Sequence, residues 1–205
     1  MGVISNGTTL LDAGAIDSGI PTGAMTLIKT LTASSSATLD FLNGTSSVVF
    51  DDTYDSYVFK FFDIHPATDD TDLTFQVDTG TNTSYNQKIT STTFQVFHGE
   101  DGNSGAIAYK ANRDQADGTA FQSINQDIGN GNDESMSGEL TIFSPSSGTF
   151  VKHFIGLGTN VYSGNASIQI YSAGYVNTTT ALTRIRFKMD SGNIDSGIIK
   201  MYGIK

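Results

Sequence analysis

Three histidines (His65, His98, His153) and three glutamates (Glu100, Glu134, Glu139) are the side chains best suited to moving protons near neutrality. None falls in an H-x-H or H-E-x-x-H spacing, so no zinc site is written into the sequence. There is no G-x-S-x-G nucleophile elbow and no glycine-rich phosphate loop leading from a strand into a helix. A glycosidase needs two carboxylates roughly 5–10 Å apart, and no pair is singled out by position. The oxygen-rich runs Asp69-Asp70-Thr71-Asp72 and Asp127 to Glu134 offer hard ligands of the kind Ca²⁺ takes. Neither matches an EF-hand loop, and solvated turns account for both. The reading is therefore a non-enzymatic chain with no cofactor and no resident metal.

Composition narrows the class further. The 205 residues contain no cysteine, so disulfides and thiolate sites are excluded together. Twenty-one acidic residues against eleven basic give a net charge of −10. Nucleic-acid affinity rests on Lys and Arg neutralising phosphates, so no nucleic-acid partner is expected. No run approaches eighteen apolar residues and no membrane span is expected.

The elements that must carry any site read as strands. Tyr57 to His65 is apolar on both faces and predicts a central strand, ended by Pro66. Leu73, Phe75 and Val77 alternate, as do Phe94, Val96 and His98. Short apolar segments are expected at Met25 to Leu31, Thr38 to Phe41, Ser47 to Phe50, Ala106 to Lys110, Glu139 to Phe143, Phe150 to Ile155 and Ala166 to Tyr175. A helical turn is expected within Arg113 to Phe121. Nine or ten strands with turns every 8–15 residues predict an all-β antiparallel sandwich or barrel over 25–205. Phenylalanine is assigned to the core, and tyrosine to surface binding.

Residues 1–24 are small, glycine-rich and without helical spacing, and read as an extended N-terminal arm. Val3, Ile4, Leu10, Leu11, Ile16 and Ile20 make it more apolar than a solvated tail. These six are the candidate partner-binding residues.

The last stretch, Ala181 to Lys205, sets Thr183, Ile185, Phe187 and Met189 on one face and Arg184, Arg186 and Lys188 on the other. Asp190-Ser191-Gly192-Asn193 supplies turn chemistry. The expectation is an antiparallel hairpin closing the domain. Its ending, Gly192-Asn193-Ile194 through Gly197, Ile199, Tyr202-Gly203-Ile204-Lys205, resembles the closing segment of tailed-bacteriophage virion proteins, common among phages of marine bacteria. Thr53 to Phe59, Ile64 to Asp69, Phe143 to Ser147, Phe150 to Phe154 and the opening Met1 to Leu11 resemble the same group.

That resemblance implies a jelly-roll-like β-sandwich, built as a homo-oligomer, a trimer, into the surface of a phage particle after assembly in the host cytoplasm. The role implied is a head decoration or cement protein bound to other virion proteins, such as the major capsid protein, through the arm. The alternative is a tail or neck fibre that recognises a host glycan with exposed Tyr or Asp clusters on the loops 100–104 and 127–134.

Overall fold

A computed structural model describes residues 3–5, 8–12, 15–16 and 25–205. Fifteen strands and no helix are found among them. The first three are short: β1 (Val3–Ser5), β2 (Thr8–Asp12) and β3 (Ala15–Ile16), paired in that order into a small antiparallel sheet. The described parts of the arm are thus extended, and they pair with one another.

Residues 25–205 form two antiparallel sheets. The larger contains β4 (Thr26–Ser36), β6 (Ser56–Pro66), β8 (Ile89–Gly99), β9 (Gly105–Tyr109), β11 (Met136–Phe143), β12 (Lys152–Tyr162), β13 (Ala166–Val176) and β15 (Ile194–Ile204). Their order is β4-β15-β6-β11-β12-β13-β8-β9. The smaller, in the order β10-β7-β14-β5, contains β5 (Leu39–Leu42), β7 (Leu73–Thr79), β10 (Gln122–Ser123) and β14 (Leu182–Met189).

The pairing reveals a jelly roll. β4 pairs with β15, β5 with β14, β6 with β11 and β7 with β10, the nested pairs of a long hairpin rolled into two sheets. Two inserted hairpins, β8–β9 and β12–β13, continue the larger sheet beyond the roll as a wing.

The sheets meet through aromatic rings. Phe187 of β14 lies 5.3 Å from Phe59 and 5.4 Å from Phe61 of β6, centroid to centroid. Phe41 of β5 lies edge-on to Phe59 at 5.2 Å, and Phe75 of β7 to Phe154 of β12 at 5.1 Å. Tilted and edge-to-face contacts of this kind add to the area term that drives burial.

The structure corrects four expectations. β14 and β15 are not a hairpin: they lie in different sheets, and 190–193 is a corner between layers. The corner is fixed by Asp190, whose Oδ1 accepts the Asp72 amide at 2.9 Å and the Thr71 hydroxyl, and by the Asn193 carbonyl, which accepts the Ala67 amide at 3.0 Å. The apolar faces of β14 and β15 therefore oppose each other across the core instead of lying side by side.

Ser47 to Phe50 is not a strand. Val48 and Phe50 are buried as loop residues that plug the core. Arg113 to Phe121 forms no helix. Finally, the assignment of aromatic types is mixed. Tyr57 and Tyr85 are buried, while Phe62, Phe94, Phe143 and Phe150 are exposed.

The three cations on the wet face of β14 are all engaged. Arg186 grips Asp40 through two hydrogen bonds of 2.8 and 2.6 Å and lies over the Tyr85 ring at 4.1 Å. Lys188 lies over Phe121 at 4.8 Å, and Arg184 donates to the Gly80 carbonyl at 3.2 Å.

Candidate interaction surface

The wing has two unlike faces. The smaller sheet reaches under only part of the wing's inner face, where Phe75 of β7 meets Phe154 of β12, and it stops at β10. The rest of the cover is the strand-poor segment 122–128. A covering chain without a ladder must satisfy its backbone by side chains. Polar residues therefore point inward: Ser91 donates to Gln122 Oε1 at 2.6 Å, Ser172 to the Ser123 carbonyl at 3.3 Å, and Asn160 to the Asp127 carbonyl at 3.2 Å. Gly158 lets the cover lie flat, since an added Cβ would stand 2.9 Å from the Ile124 carbonyl oxygen.

Within this polar interior sits Asp72, which accepts from Ser123 at 3.1 Å and from the Asp127 amide at 3.1 Å. Arg113 Nε lies 2.7 Å away from it. Burial pushes the Asp72 carboxyl up to about 6, with Arg113 opposing the rise. At the far end of β12, Lys152 is fully buried. Its ammonium donates to the carbonyls of Ser147, Phe150 and Thr178 at 2.6, 2.8 and 3.3 Å, and desolvation holds it below the usual lysine range.

Ile168 and Ile170 of β13 and Phe154 of β12 still face inward, but beside these polar groups part of the apolar set of the wing is turned outward. Phe94 and Val96 lie on the outward side of β8, Phe94 exposed and Val96 half-buried, while Gln95 between them is buried. Register aligns these outward residues in rows across the strands. One row runs Tyr109, Phe94, Tyr171, Leu157. Phe94 and Tyr171 are stacked at 4.8 Å with planes 10° apart. The next row is small, Thr92 and Ala173, followed by Ile155 and Thr141. Beyond it lie Thr90, Tyr175 and His153, with Phe143 beside them along the same furrow. The small row forms the floor of a furrow of about 520 Å³. Ile155 is 53% exposed and Ile107, at the open edge, 76%.

This surface was not legible from alternation alone. The available signal was an apolar residue of each parity in Phe94 to Phe97, and glycines 156, 158 and 174 inside long strands.

The residues singled out for chemistry are dispersed. His65 Nε2 contacts the Gly131 carbonyl at 3.2 Å, and its Nδ1 lies 3.6 Å from Asp195. His98 lies on β8, and His153 packs against the Tyr175 ring at 6.1 Å. Glu139 pairs with Lys60 at 3.0 Å, and Glu134 accepts the Gly131 amide at 2.6 Å.

The two oxygen-rich loops do meet. Thr71 and Ile128 exchange backbone hydrogen bonds, and the Asn130 amide donates to Asp69. Asp72 and Asp127 share the Arg113 guanidinium, while Asp69 and Asp70 accept from Asn130 and Ser163. Among the described residues no group of three or more His, Asp or Glu is placed to hold a metal ion. In the loop 100–104, Asp101 accepts the Asn103 amide. The exposed tyrosine, Tyr109, is on the sheet and not on either loop.

Of the arm residues, Val3 and Ile4 lie on β1, Leu10 and Leu11 on β2, and Ile16 on β3. Backbone register sets Val3 opposite Leu11, and Leu11 opposite Ile16. Ile4 is exposed, and Ile20 lies outside the described residues. Comparison with protein-family models, with curated proteins and with solved structures finds no match for the chain.

Proposed function

We propose that this chain is a non-enzymatic structural component of a tailed-phage particle, a head decoration or cement protein held to the shell through its N-terminal arm. The observation that carries the reading is the outward face of the wing: a broad apolar surface on a chain of net charge −10, suited to being built against protein. Jelly rolls occur in capsid proteins and in lectins alike, so the architecture alone does not decide between them. The resemblance of the closing segment to virion proteins, and the apolar character of the arm, favour the shell. The partners under this reading are further copies of the chain, a trimer, and the major capsid protein.

The test is binding to particles stripped of the protein. The full chain should bind saturably. A chain of residues 25–205 should keep its β-rich circular dichroism and lose binding. Undiminished binding by that folded truncation overturns the arm as anchor.

A second reading, a fibre module that recognises host glycans, draws on the exposed stack of Phe94 on Tyr171 beside Tyr109. It requires glycan-array binding that Tyr109→Ala and Phe94→Ala abolish.

A further inference from the structure

The outward face of the wing has no cover within the described chain, and the geometry points to a second copy of this chain as its occupant. The inference rests on the building-block reading and names the partner of that face. Charge selects the occupant. At −10 per chain, two copies repel over most of their surfaces. Along the outward positions of β8, β9, β11, β12 and β13 there is one carboxylate, Glu139, and Lys60 already neutralises it. Here two copies meet neutral to neutral.

Area agrees with charge. Four strands presenting about 27 Å of length and the five-residue β9 presenting about 17 Å, all about 4.8 Å apart, give about 600 Å² per copy. Two such faces bury about 1,200 Å², at the lower end of the range of specific interfaces.

Relief supplies the fit. The bulky row Tyr109–Phe94–Tyr171–Leu157 is a ridge, and the furrow floored by Thr92 and Ala173 lies one row away. The ridge of one copy seats in the furrow of the next. Ridge and furrow are different patches, so the contact serves a ring of three as well as a two-fold pair. At the rim, β9 ends the sheet with Gly-Ala-Ile-Ala-Tyr, every residue exposed. It lacks the lysine, proline or bulge that ordinarily blunts an edge.

Sedimentation velocity on the full chain tests this. Wild type at about 10 to 500 μM should sediment as two or more chains, and more completely at high salt, where the repulsion between copies is screened. Ile155→Glu and, separately, Thr92→Glu each place a carboxylate on an exposed furrow position. Each should sediment as a single chain with an unchanged melting temperature. Asn132→Glu adds the same charge to an exposed loop and should retain the wild-type mass.

A wild type that remains a single chain throughout the range overturns the inference, as does an Ile155→Glu chain of undiminished mass. A single-chain wild type that binds glycans through the furrow also overturns it. A single-chain wild type that binds particles through residues 1–24 overturns it too, and leaves the proposed function standing.

Discussion

Arg113 Nε lies 2.7 Å from Asp72 Oδ2 inside the polar half of the molecule, where the carboxylate is almost wholly screened from water. The pair links the cover of the wing to the corner of the roll, because the Asp72 backbone amide donates to Asp190 while its carboxylate accepts the Asp127 amide.

A pH dependence follows. The Asp72 carboxyl titrates near 6 when folded, against 3.8 for the ordinary group. Between those values the folded chain keeps a proton that the unfolded chain gives up, so the Asp72 contribution is complete below pH 4 and is lost as the pH rises through 6. Two pK units correspond to about 3 kcal/mol. The stability of wild type relative to Asp72→Asn should fall by about that amount between pH 4 and pH 7. Paired urea titrations at the two pH values measure it, and a flat difference contradicts the account.

Lys152 is a structural cation. Lys152→Met keeps the stem and strips three carbonyls of their donor, at Ser147, Phe150 and Thr178. Unsatisfied buried acceptors are expensive, and the loss should be about 2–4 kcal/mol, read from thermal or urea unfolding. Hydrogen exchange should quicken first in residues 147–150.

The sequence made the roll readable and left the wing obscure. Clean alternation in Ile185, Phe187 and Met189 places each residue in the core because a second sheet lies over it. On β8 the same kind of alternation does not say which side is buried, since what lies over Gln95 is a loop carrying amides, and hydrogen-bond satisfaction outweighs hydropathy there. The reversal between layers at 190–193 was equally hidden: Asp-Ser-Gly-Asn suits a hairpin and a corner alike, and only the partners of Asp190, distant in sequence, decide.

Phe187 touches Phe59 and Phe61 from across the sandwich and Phe41 on the neighbouring strand of its own sheet. Phe187→Ala removes the central ring of that cluster and should destabilise the fold by about 3–5 kcal/mol. Unfolding midpoints in urea report it, and a change below about 1 kcal/mol would show that the cluster can collapse into the gap.

Gly197 has φ +120°, and an added Cβ would stand 2.7 Å from the Asp63 carbonyl oxygen and 2.8 Å from Ile64 Cα. Strain and overlap act together, so Gly197→Ala should lose about 2–4 kcal/mol. Gly80→Ala is the comparison, because its φ of +56° lies where non-glycine residues such as Asp63 and Asn165 also sit and the space around it is open. Melting of the two variants side by side should show the smaller loss at Gly80.

Thr26, where β4 begins, stands opposite Gly203, near the end of β15. A pull exerted between the arm and the end of the chain would therefore unzip those two strands one hydrogen bond after another. A pull exerted between the arm and the wing would instead run across the ladders β4–β15, β15–β6 and β6–β11, which stand in series between the two points. A partner that holds the protein by its arm and draws on its wing would load three ladders, where a pull on the last strand loads one.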